Sequence, residues 1–69
     1  MSNKKKLENI KNYLKFFIPN SDIYKVDQVG TLYSIVIEND NTSITNISAY
    51  MSYDNIFAFI NGWSYGLNK

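Results

Sequence analysis

Cysteine, histidine and arginine are all missing from this chain, and each absence closes off a class of chemistry. Without cysteine there is neither a disulfide nor a thiolate nucleophile. Without histidine the usual imidazole base and zinc ligand are gone, and without arginine so is the bidentate clamp for phosphate. Most general-base, nucleophilic and phosphoryl-transfer constellations are thereby unavailable. The sequence therefore predicts a protein that is not an enzyme and holds no metal or cofactor. It contains no phosphate-cradling glycine loop, zinc-type spacing or internal repeat. No apolar run approaches the roughly 20 residues needed to cross a bilayer, and the N-terminus lacks the pattern of a signal peptide. The expected location is the cytoplasm (host cell cytosol), with no membrane partner.

What is present is a chain of 69 residues, 45% apolar and 16% aromatic, which reads as globular rather than disordered. Residues 1–69 are expected to form one small domain. Such a length buries only about 60% of the surface that the unfolded chain exposes. A core this small seldom supplies more than about 3–5 kcal/mol, so a partner or a homodimer is expected to add to it. Charge is unevenly placed. Residues 1–25 carry six lysines against Glu8 and Asp22, whereas residues 26–69 carry Lys69 against Asp27, Glu38, Asp40 and Asp54. Ten asparagines, nine isoleucines and six tyrosines have A- and T-rich codons and point to a low-GC genome.

The stretch from Ser52 to Leu67 organises the rest. Ile56, Phe59, Ile60, Trp63 and Leu67 recur at steps of three and four, which predicts one apolar stripe on a helix, with Phe57 widening it. Ser52 is the expected N-cap, Asp54 suits the first turn, and Gly66 is placed to stop the helix in a left-handed conformation. Gly62 costs about 1 kcal/mol in a helix interior and predicts close backbone approach there.

Residues 3–17 predict a first helix with Leu7, Ile10, Leu14 and Phe17 on its core face. Pro19 ends it near Ile18. The period then becomes extended: Ile23–Gln28 as a short strand, a turn at Val29 and Gly30, Leu32–Glu38 as a central strand, a polar hairpin tip at 38–41, and Thr42–Ile47 as a returning strand. Ile44 and Ile47 are an odd number apart and share a face only through a bulge. The fold class expected is α+β: helix, three-stranded antiparallel β-meander, helix, both helices packed on one face of the sheet. The other sheet face is expected to be uncovered.

Two functional readings follow. In the first, the chain is a protein-binding module. Its partner-binding residues would be Glu38, Asn39, Asp40 and Asn41 at the hairpin tip, with Tyr13 and with Phe16, which falls opposite the first helix's apolar stripe. In the second, it is a small single-stranded nucleic-acid-binding protein in which Lys4, Lys11 and Lys15 neutralise phosphates while Tyr24 and Tyr33 stack on bases. A homodimer through an edge strand or sheet face would bury the same aromatics as a partner would.

The closing helix reads Phe59, Ile60, Asn61, Gly62, Trp63, and this resembles small accessory proteins of phages and mobile elements in low-GC Gram-positive bacteria. Leu32–Asp40, the return strand and that helix are together similar to a type II-A anti-CRISPR protein, an inhibitor of Cas9 built from a helix, three strands and helices. The resemblance implies an inhibitor that binds one host or viral protein. That family presents acidic groups from the tip that Asn39 and Asp40 match here. The glycine it carries next is Asn41 in this sequence, and its following acidic helix has no counterpart, so what the resemblance implies is a compact binding domain more than a DNA mimic.

Overall fold

The computed structural model describes residues 2–38 and 43–67. Its first element is helix α1 (Asn3–Phe17). The Ser2 hydroxyl accepts from the Lys5 N–H at 3.2 Å, satisfying one of the N–H groups that a helix start leaves unpaired. Pro19 pushes the residue before it out of the helical region, and Ile18 is accordingly extended, its own N–H closing the helix on the Leu14 carbonyl at 2.9 Å. Asn20 is left-handed at φ 57°, and a 3-10 turn (Ser21–Ile23) leads into the sheet.

Strands β1 (Tyr24–Val29), β2 (Leu32–Glu38) and β3 (Ile44–Asn46) form an antiparallel sheet in the order β1-β2-β3. Val29 pairs with Leu32, leaving a two-residue loop whose first residue, Gly30, sits at φ +61°. A hairpin this tight needs a positive φ at that position, and glycine adopts it without steric cost. Helix α2 (Tyr53–Leu67) follows. Ser52 caps it as expected: its hydroxyl accepts from the Asn55 N–H at 3.3 Å and its carbonyl from the Ile56 N–H at 3.0 Å.

Both helices lie on one sheet face, as their stripes demand. Ile10, Leu14 and Ile18 meet Tyr33 and Ile35 of β2 and Ile56 and Ile60 of α2, with Tyr24 and Val26 of β1 packed at the edge. Around this cluster runs a chain of aromatic contacts. Ring centroids lie 4.6 Å apart for Phe17 and Tyr13, 4.9 Å for Tyr13 and Phe57, 4.9 Å for Phe57 and Tyr53, and 6.0 Å for Tyr53 and Tyr33. These tilted and edge-on geometries match the ring quadrupoles and add to what area burial supplies.

Four expectations are corrected. The outer sheet face is covered at its centre: Ser34 and Val36, which point away from the helices, are both buried. The cover comes from the segment after β3. Between the pairs Val36–Asn46 and Tyr33–Met51 there are three steps along β2 and five along its partner. The surplus is a bulge in which the N–H groups of Ile47 and Ser48 both bond the Ile35 carbonyl, at 2.7 and 3.3 Å. Ile44 and Ile47 thus never share a face; Ile44 is exposed beside Glu38, and Ile47 packs towards the core. On α2 the buried line is Ile56, Ile60 and Ser64, with Phe59 and Trp63 at its edge, while Leu67 in the last turn is 51% exposed and lies outside the core cluster. Finally, a side chain at Gly62 would meet nothing within 4 Å, so no backbone approaches there, and Gly66 continues the helix without a positive φ.

The displaced stripe is testable by chemical denaturation. Ile60→Ala should cost about 2–5 kcal/mol, transfer and cavity terms together. Leu67→Ala should cost less than about 1 kcal/mol, as an exposed position does.

Candidate functional site

The residues proposed from the sequence fall in three places. Glu38 ends β2, where its carboxylate accepts from the Lys25 ammonium on the outer sheet face. An ion pair this exposed adds at most about 1 kcal/mol, but it removes the bare negative charge that a DNA-mimicking tip needs at this position. Asn39, Asp40 and Asn41 lie outside the described residues. Next to the pair, the Tyr50 hydroxyl donates to the Asp27 carboxylate, fastening the segment after β3 across the sheet. Beneath it the Ser34 hydroxyl donates to the Ser48 carbonyl at 2.7 Å and accepts from the Asn46 amide at 3.0 Å. The Ser48 hydroxyl accepts from the Ile35 N–H at 3.0 Å.

Among the lysines and tyrosines, the structure brings some together and separates others. Lys11, Lys15 and Tyr24 line one cleft of about 260 Å³ between α1, the 3-10 turn and β1, and Leu14, Ser21, Asp22 and Lys25 complete its wall. Lys4 does not reach it; seven residues earlier on α1, it stands about 10 Å further along the axis. Tyr33 is 1% exposed, so its ring faces the core and is closed to any base. Alternation along β1 places Lys25 on the outer face, and because β1 forms the edge of the sheet Lys25 also borders the cleft.

The aromatic candidates divide as well. Tyr13 is half-buried between Phe17 and Phe57 and belongs to the belt around the core. Phe16 is 81% exposed and touches the edge of Phe17 at 4.9 Å. Near Phe17, a recess is lined by Asn61, Ser64 and Tyr65, and Tyr65 is itself 78% exposed. On the other flank of α2 lies a shallow groove of about 420 Å³ formed by Ile47, Ala58, Phe59, Gly62 and Trp63. Ala58, Asn61, Gly62 and Tyr65 are exposed between the two. Sequence reasoning missed this surface, although a signal for it exists: from Asn55 to Leu67 there is no charged residue.

Among the described residues, no group of three acidic side chains is arranged to hold a metal ion. No described helix is long and apolar enough to cross a membrane. No protein-family model matches the chain, and no curated protein or solved structure matches it either.

The hydrogen bond to Asp27 holds the Tyr50 hydroxyl above its ordinary value, since phenolate beside carboxylate is disfavoured. A folded-state value raised above the unfolded one stabilises the fold below about pH 10 and loses that contribution as pH climbs through the raised value. Asp27→Asn should therefore lower the Tyr50 titration midpoint, read from its ring carbon shift by NMR, and flatten the alkaline fall in stability.

Proposed function

We propose that this chain is a non-catalytic protein-binding module whose partner docks on the outer side of α2. One observation carries the reading: thirteen consecutive residues of an exposed helix, Asn55–Leu67, contain no charge. The solvent side of an amphipathic helix ordinarily carries charged groups. Here it carries Ala58, Asn61, Gly62 and Tyr65, flanked by an apolar groove on one side and by Phe16, Phe17 and Tyr65 on the other. Interface cores are depleted of charge and rich in aromatic rings. The small residues Ala58 and Gly62 leave room for a partner side chain between Phe59 and Trp63. Phe16, singled out in the sequence for lacking a core contact, falls at one end of this surface.

Within that reading, the resemblance of Leu32–Asp40 and of Phe59–Trp63 makes a host defence protein, of the kind a phage or mobile element would inhibit, the first partner to test. Support for acidic mimicry is thin, because Glu38 is engaged by Lys25. Support for an apolar anchor is stronger, because it uses residues that the fold leaves uncovered.

Gly62 gives a clean probe. A Cβ there meets nothing within 4 Å and the residue is exposed, so Gly62→Arg should leave the fold intact, and replacing a helical glycine should raise stability by up to about 1 kcal/mol. The same change places a charged side chain in the groove. Pull-down followed by calorimetry should then show a more stable protein that has lost its partner, with Phe16→Ser weakening the same complex. A partner retained by both variants at full affinity would refute docking on α2, and sedimentation of the chain alone would show whether the occupant is a second copy.

A further inference from the structure

The cleft beside α1 shares no residue with the α2 surface and is unused by the reading above. Lys11 and Lys15 stand one turn apart at the i, i+4 spacing, where like charges repel. Among the described residues, neither has a carboxylate within ion-pair distance. Lys15 lies in the last turn of α1, where the helix dipole favours a cation, but Lys11 is a turn too early to gain from it. Ser21 and Tyr24 bring hydroxyl groups to the same cleft. Lys25 stands on the strand side, partly engaged by Glu38, and Asp22 is the one carboxylate on the wall.

We propose that this cleft binds a phosphate group. Two unpaired ammonium groups a turn apart match the charge of a phosphate, and the two hydroxyls can donate to its oxygens. The same chemistry serves the backbone of a single nucleic-acid strand and a small free phosphate anion. It confines nucleic-acid contact to Lys11, Lys15, Ser21, Tyr24 and Lys25, and leaves Lys4 and Tyr33 out. Tyr24 also packs edge-on against Trp63 at 4.9 Å, so the only tryptophan of the chain reports on the cleft from its far wall.

The test is an amide NMR titration of the full chain at low salt with inorganic phosphate, AMP and a short oligothymidylate, followed in parallel by Trp63 fluorescence. Three proteins are compared: the native chain, Lys11→Gln with Lys15→Gln, and Lys4→Gln with Lys5→Gln as a control of equal charge. All four lysines are exposed, so the fold should survive in each. The native chain and the control should show shifts between residues 11 and 25, and the Lys11/Lys15 variant should bind roughly tenfold more weakly. Its log–log salt slope for the oligothymidylate should shrink by about 1.4, two contacts at about 0.7 each. Shifts with phosphate and AMP would identify a free-anion site, and shifts with the oligothymidylate alone a strand site; either supports the proposal. No shift with any probe, or shifts that the Lys11/Lys15 variant retains in full, would overturn it.

Discussion

The hydroxyl of Ser34 holds the outer half of this molecule together. It sits without exposure in the middle of the central strand, donating to the Ser48 carbonyl and accepting from Asn46. A buried hydroxyl left unpaired would cost on the order of 1–3 kcal/mol. Satisfying it draws the segment after β3 over the sheet and commits the Ser48 hydroxyl to the Ile35 N–H. That bulged path returns Met51 to register opposite Tyr33, and Ser52 then starts α2. The side of α2 that meets the core is thus decided upstream, by a polar contact on the far side of the sheet.

Seven buried side chains make the central cluster, which is little for a free-standing fold. The aromatic chain from Phe17 through Tyr13, Phe57 and Tyr53 to Tyr33 extends it sideways. Lys6 lies 5.4 Å from the Tyr53 ring centroid, and the Tyr53 hydroxyl accepts from Asn9 at 3.1 Å. The belt ties α1, α2 and β2 to one another. Phe16 and Tyr65 are the two most exposed rings, at 81% and 78%, and they mark the surface assigned to a partner.

Polarity is distributed by element. α1 carries the cations on its flank, the outer sheet face carries the Lys25–Glu38 and Asp27–Tyr50 contacts, and α2 carries no charge after Asp54 in its first turn. The edge-on pair of Tyr24 and Trp63 is the wall between the cationic cleft and the apolar groove, each ring lining one of them. A small chain can in this way present two chemically opposite surfaces without placing unpaired charge against an apolar contact.

Much of the architecture was legible in the residues themselves. Leu7, Ile10, Leu14 and Pro19 orient and end α1; Gly30 turns the first hairpin; Leu32–Glu38 reads as the central strand; Ser52 begins α2. These are local rules of spacing, capping and turn geometry, and they depend on neighbouring residues alone. Tertiary structure decided the rest. Ser64 is buried and Leu67 is not, because cover over a helix face depends on what lies opposite each turn. Tyr33 and Tyr24 share the helix-facing side of the sheet, yet Tyr33 on the central strand is closed over while Tyr24 at the start of the edge strand borders a cleft. Lys11, Lys15 and Lys25 meet only because α1 folds back over β1. Periodicity specifies which residues can share a face, but a site is made where faces of different elements meet, and that depends on packing that no single segment contains.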